Sequence, residues 1–236
     1  MSFKKPTNNN FFFQNFFYYP YFQDLASDYE GEEYLKLKWK NKNKHINFIY
    51  TNPKASVRNQ YLKFLNENSI NVDSMGLYKN NTPYIEDSNI NKQSNKLIKI
   101  SEYKYTVAFE NSYHKNYISE KIWEPLCVNS IPIYYGGESV FKIFNKKKFI
   151  YVKNKFDFKK SLEKIREIDD SQDFYNNILH EPIFANDDIK QSFAYKILAR
   201  KFYQFLEEAV SDKNPKIKFK IIKRFLYLYS KFLRKN

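Results

Sequence analysis

The chain has 236 residues, of which 42% are hydrophobic and 19% aromatic, with 4 Gly, one Cys and a formal net charge of +14. That balance excludes a disordered chain and leaves room for one large or two small domains with a real core. A single cysteine, Cys127, excludes an intrachain disulfide framework; it lies in an apolar run and is expected in the core rather than as a reactive thiol.

Residues 1–44 read as an arm: an aromatic segment, "FFFQNFFYYPYF" (Phe11 to Phe22), an acidic patch (Asp24 to Glu33) and a Lys/Asn run (Lys36 to Lys44). The aromatic segment is interrupted by Gln14, Asn15 and Pro20 and is too short to span a bilayer. Regular patterning starts at His45. "INFIY" (Ile46 to Tyr50) reads as a buried strand, and Val57, Tyr61, Phe64 and Leu65 mark one face of a helix over Ala55 to Asn66. A short strand is expected near Ile70 to Val72, a loop over Lys79 to Asn95, and a helix near Lys96 to Glu102. "TVAF" (Thr106 to Phe109) is the next strand, followed by a helix from about Glu120 to Val128 and the strand "IPIYY" (Ile131 to Tyr135). "KFIYV" (Lys148 to Val152) is a further strand, Phe156 to Ile168 a helix, and 170–210 looks helical. Short buried strands alternating with helices give an α/β class: a Rossmann-like parallel sheet with helices on both faces. Ligands of such sheets sit at the carboxyl ends of the strands.

Glu110, Asn111 and Ser112 follow "TVAF" directly and fall at such an end. Ser119 is a candidate N-cap for the next helix, with Glu120 and Lys121 in its first turn. The dipole disfavours a cation there unless an anion such as phosphate is bound. Arg58 stands in the same relation to the strand before it, so an Arg and a Lys at two strand ends could clamp a diphosphate. On spacing alone, two solvated surface charges are the plainer reading. Gly136 and Gly137, after "IPIYY", offer a close backbone approach. No Asp-x-Asp is present, and His45, His114 and His180 form no ligand cluster, so no metal site is expected.

The stretch "YTVAFENSYHKNYISEKIWEPLCVNSIPIYYGG" resembles the signature of the α1,3/4-fucosyltransferase family, and "TNPKASVRN" (Thr51 to Asn59) resembles an upstream element of the same family. Over roughly 45–185, several motifs match in order. The resemblance implies a GT-B enzyme, of which 45–210 would be the donor domain. It implies GDP-fucose as donor substrate, no cofactor or metal, and inverting α1,3-type transfer to a hydroxyl of a GlcNAc- or glucose-containing glycan acceptor. By position, Arg58 and Lys121 would neutralise the leaving diphosphate and Glu120 would lie near the donor sugar. Asn111, Tyr117 and Gly136 would line the donor pocket, with plain packing as the other role open to Tyr117. Pro125 departs from the pattern by falling inside the expected helix, which should kink or start late. Gly137 should loosen the turn after its strand.

The family's general base is a carboxylate of an amino-terminal acceptor domain, and only about 45 residues precede the donor pattern here. The acceptor half is therefore expected to be missing, with the aromatic segment as its surviving end or as a cover for the sheet. Asp24, Asp28, Glu30, Glu32 and Glu33 read as a solvated acidic loop. The alternative to an active enzyme is a truncated, non-catalytic or partner-dependent GDP-sugar-binding domain; use of another GDP-sugar, or a membrane-binding module, are further rivals.

From Lys213 to Asn236 there are nine Lys or Arg and no acid, leaving +5 of the +14 to the rest of the chain. Ile217, Ile221, Phe225, Leu228 and Phe232 fall on one side of a helix there. A basic amphipathic tail over 211–236 is expected on an anionic membrane surface, each basic residue adding ~1 kcal/mol. A helix packed on the body with a solvated Lys face is the alternative, and no nucleic-acid module accompanies it. The compartment expected is cytoplasmic, peripheral to a membrane, with the Golgi membrane as the alternative.

Overall fold

The computed structural model describes residues 35–36, 38–82, 92–115 and 117–192. The aromatic segment, the acidic patch and the basic tail lie outside them. Five strands, β1 (Lys44–Phe48), β2 (Val72–Ser74), β3 (Tyr103–Phe109), β4 (Ile131–Tyr135) and β5 (Ile150–Val152), form one all-parallel sheet in the order β2-β1-β3-β4-β5. The helices are α1 (Ser56–Glu67), α2 (Lys92–Ile100), α3 (Glu120–Cys127), α4 (Phe158–Asp169), α5 (Gln172–His180) and α6 (Asp187–Ser192). The expected Rossmann-like class is what forms.

Alternation along the strands explains the two layers. Tyr105, Val107 and Phe109 of β3 and Ile131, Ile133 and Tyr135 of β4 join a core with Tyr61, Leu62 and Leu65 of α1, Phe158, Leu162 and Ile165 of α4, and Tyr175 and Ile178 of α5. Residues between them, such as Ala108 and Tyr134, turn to the other face, where α2 and α3 pack and bury Leu97, Ile122, Trp123 and Leu126. Both faces are covered, which is why β4 is buried at every residue.

Several boundaries moved for local reasons. The second strand begins at Val72 because Ile70 closes α1: Ser69 takes φ 62° and Ile70 N–H donates to Leu65 O at 3.0 Å, a left-handed helix stop. The last strand begins at Ile150 because Lys148 is drawn inward, its Nζ donating to Ile178 O at 3.1 Å and to Leu179 O. The helix expected from Phe156 starts at Phe158, after a tight turn (Lys155–Asp157) held by a reciprocal Asn154–Asp157 capping box. Pro125 does not delay α3. The helix begins at Glu120 on its Ser119 cap and ends two residues after the proline, where Asn129 (φ 51°) lets Ser130 N–H reach Pro125 O at 3.0 Å. Cys127 is buried in that helix, as expected.

The order 2-1-3-4-5 has a topological switch point between β1 and β3, because the chain leaves those two neighbours in opposite directions. The loops after β1 and β3 therefore bound the crevice where a ligand would sit. Arg58 follows the first; Glu110 to Lys121 follow the second.

Candidate functional site

Glu110 is the centre of this region. It comes immediately after β3, whose last five residues are buried, and is itself only 1% exposed. Its carboxylate accepts Ser119 N–H at 2.8 Å and the Ser119 hydroxyl at 2.7–2.8 Å, with the Tyr134 hydroxyl at 3.5 Å. Ser119 is thereby held as the cap of α3, and its own oxygen faces Lys121 N–H at 3.4 Å.

Lys121 then stands in the first turn with its ammonium 2.9 Å from Glu120 Oε1, 3.1 Å from Ser119 Oγ and 3.6 Å from Glu110 Oε2. Two carboxylates thus offset the unfavourable placement of a cation at a helix N-terminus. Burial pulls the Lys121 ammonium toward neutrality, but Glu110 and Glu120 outweigh it and raise its pKa. Burial likewise raises Glu120, and there Lys121 and Lys96 prevail, holding it below the usual carboxylate range. Glu110 is pushed up by burial, against the pull of Lys121 and the Ser119 donors.

Arg58 reaches the same place from α1. It is 3% exposed, and its Nε donates to Phe109 O at 2.8 Å, with Nη2 on the same oxygen. Those bonds use two of five guanidinium donors and fix the charge just below the mouth of the crevice, 5.9 Å from the Tyr50 ring. Burial lowers its pKa, while Glu110, Glu120, Tyr50 and Tyr117 favour its charge. Tyr117, half-buried, lies within electrostatic reach of Glu110, Lys121 and Glu120, and burial followed by Glu110 raises its hydroxyl.

The structure therefore gathers Arg58, Tyr117, Glu120 and Lys121 at one spot. Asn111 is exposed on the loop beside them and joins none of these bonds. Gly136 is present for space: a Cβ there would overlap the Tyr134 hydroxyl and lie 3.0 Å from Glu110 Cγ. At Gly137 a Cβ would overlap the carbonyl oxygens of His114 and Lys115, so that backbone packs directly against the glycine. The close approach of this turn to the loop after β3 is what both glycines permit.

Sequence reasoning placed Glu110 at the strand end without giving it a role, and it missed Lys96 and Glu124. Glu124 is buried on α3, four residues after Glu120, and ion-pairs with Lys96 of α2. The i, i+4 spacing of two glutamates was a readable sign of a shared helix face. Lys96 sits in a Lys/Asn-rich stretch that carried no such sign. Among the described residues, no group of three or more His, Cys, Asp or Glu side chains is arranged to hold a metal ion.

A parallel sheet whose switch point holds an Arg and a Lys at neighbouring strand ends is suited to hold an anionic ligand. The family model "Glycosyltransferase family 10 (fucosyltransferase) C-term" matches residues 39–180, and the chain belongs to that family. It is 37% identical over 124 residues to a fucosyltransferase-like protein of Acanthamoeba polyphaga mimivirus, across 50% of this chain and 20% of that protein. It is 30% identical over 166 residues to the alpha-(1,3)-fucosyltransferase FucT of Helicobacter pylori, across 70% of this chain and 33% of the relative. A crystal structure of an alpha1,3-fucosyltransferase superposes with TM-score 0.60 at 27% identity, over 73% of this chain and 48% of that one. One with GDP-fucose superposes with TM-score 0.57 at 26% identity, over 83% of this chain and 53% of that one. The fold is the donor half of a GT-B enzyme, and the chain spans about half the length of the solved enzymes and a third or less of those two relatives.

Proposed function

We propose that this chain binds GDP-fucose at the β1/β3 switch point and acts in transfer of the fucosyl group to a hydroxyl of a glycan acceptor. The observation that carries the reading is the convergence of Arg58 and Lys121 on the strand end at Phe109–Glu110, in a member of a fucosyltransferase family. As the bond from the sugar carbon to the diphosphate breaks, negative charge grows on the β-phosphate. Lys121 can turn from its carboxylate partners to that phosphate, and Arg58 supplies a second, fixed positive charge. Glu120, half-exposed beside Lys121 and held ionised, offers a carboxylate to the positive charge that develops on the sugar ring. Tyr117, Asn111 and the Gly136 turn border the pocket. The acceptor hydroxyl attacks from the opposite side and gives its proton to a base, so the reaction inverts the anomeric centre without a metal in this reading. GlcNAc- or glucose-containing glycans are the acceptors proposed, with α1,3 as the linkage.

A second reading is a partner-dependent or non-catalytic GDP-sugar-binding domain; saturable binding of GDP-fucose with no fucosyl transfer would favour it. For location we propose a cytoplasmic protein held at a membrane surface through 213–236, on the charge and apolar pattern of that segment. Calorimetric titration with GDP-fucose tests the donor site. Saturable binding is expected, weakened roughly 10- to 100-fold in Lys121→Ala, the worth of a charge-assisted hydrogen bond. Binding unaffected by that change would overturn the assignment of Lys121.

A further inference from the structure

We infer that Glu110 is the internal counter-ion of the anion pocket: it holds Lys121 while the pocket is empty and takes up a proton from solvent when a diphosphate claims that lysine. The inference rests on the donor-site reading above and adds to it a stoichiometric proton that the binding reaction consumes.

The geometry supplies the argument. Facing the Glu110 carboxylate are Lys121 and Glu120 from α3, Ser119 and Tyr117 from the loop before it, Tyr134 from β4 and Arg58 from α1. Arg58 and Lys121 balance Glu110 and Glu120, while Lys96 and Glu124 balance each other. The empty site is thus close to electroneutral. A nucleotide-sugar diphosphate brings two negative charges into it. If Lys121 turns to the phosphate, Glu110 is left with a side chain 0% exposed, a dianion nearby and only neutral donors in contact. A carboxylate in that position is neutralised rather than kept charged. Glu120 is the less suitable acceptor: its side chain is 38% exposed and Lys96 continues to favour its ionised form. Burial already presses Glu110 in the required direction before any ligand arrives. The proton adds to a carboxylate oxygen of Glu110, and no other bond changes. Glu110 is therefore a positioning residue, acting through Lys121 and Ser119.

Titration calorimetry on the full chain with GDP-fucose, at about pH 6 in two buffers of different ionisation enthalpy (MES and imidazole), counts the protons. GDP-fucose is the suitable probe because its diphosphate is a diester with no group titrating there, unlike the terminal phosphate of GDP. Uptake of roughly half to one proton per nucleotide is expected, with affinity falling up to about tenfold per pH unit as pH rises. In Glu110→Gln, which keeps an acceptor for Ser119, the nucleotide should bind with uptake abolished. In His114→Asn, which removes the nearby imidazole, uptake should persist. Binding without uptake, uptake surviving in Glu110→Gln, or uptake lost in His114→Asn would each overturn the inference while leaving the donor site standing. If Glu110→Gln does not fold, the wild-type pH profile decides: an affinity flat between about pH 5 and pH 7.5 overturns it. No binding of GDP-fucose by the wild-type chain removes the donor site and this inference with it.

Discussion

Lysines drawn inward at the two ends of the sheet are satisfied by different partners. At the amino end, Lys42 precedes β1 and donates to Ser101 O and Val128 O, each at 2.7 Å, where α2 and α3 finish. Lys148 precedes β5 and donates to carbonyls at the end of α5. Both cap helix C-termini, where the dipole favours a positive charge, yet burial lowers the pKa of Lys42 to about 8 and that of Lys148 to about 7. At the carboxyl end, Lys121 lies between Glu110 and Glu120 and its pKa is raised. A lysine satisfied by backbone carbonyls belongs to the scaffold, because those partners are fixed by the fold. A lysine satisfied by carboxylates keeps a full charge that a competing anion can claim.

The largest effect expected from this difference is on stability. Lys96→Met leaves Glu124, 5% exposed, as an unpaired buried carboxylate; a loss of about 3–5 kcal/mol is expected in chemical denaturation. Lys42→Met, at the amino end, removes a charge and leaves only neutral carbonyls, so a loss of roughly 1–2 kcal/mol is expected. Lys96→Met combined with Glu124→Leu should recover most of the first loss. Equal costs for the two lysines would break the comparison.

The same contrast explains what was readable from sequence. Strand β4 was located to the residue because a run of five buried apolar and aromatic positions between Ser130 and Gly136 has one natural meaning. The places of Arg58, Glu120 and Lys121 were readable because each lies in the first turn of the helix that follows a strand, and order along the chain fixes where such turns fall in a parallel sheet. Lys148 was not: in sequence it is the third of three lysines, Lys146 to Lys148, and only folding shows which of them turns inward to α5. Glu110 was half-legible. Its position gave its address, but its work depends on Ser119, nine residues on, coming back to meet it. Contacts set by tertiary closure leave little trace in a Lys- and Asn-rich sequence.

A pH effect sharpens the comparison by sign. Lys148 has a folded pKa near 7 against 10.5 as its reference value. Below about pH 7 both the folded and the unfolded chain carry the proton, and the penalty for burying the charge is full. Between the two values the unfolded chain holds a proton the folded one has released, so stability should rise with pH, by at most about 1.4 kcal/mol per unit. Lys148→Met should flatten that part of the profile. Lys121 has the opposite sign: its raised pKa contributes stability below 10.5 that is lost only as pH rises through the folded value above it. A wild-type profile that falls between pH 7 and pH 10 would contradict the scaffold role given to Lys148.

The smallest effect concerns apolar surface. Phe156, just past β5 at the carboxyl end, is 82% exposed and sits in the middle of a turn held by the Asn154–Asp157 capping box and by Lys153 N–H on Asp157 at 2.9 Å. Trp39, at the amino end, is 47% exposed but rests on His180 with ring centroids 5.1 Å apart. Turn geometry at Phe156 comes from backbone and polar side chains, so its ring contributes little to the fold. Phe156→Ser should alter stability by no more than about 0.5 kcal/mol, and Trp39→Ser by distinctly more, because it removes partly buried ring area against α5. Thermal unfolding of the two variants side by side reads the difference. A larger loss from Phe156→Ser would mean that the ring is packed in solution, and that the carboxyl end of β5 is less open than its exposure indicates.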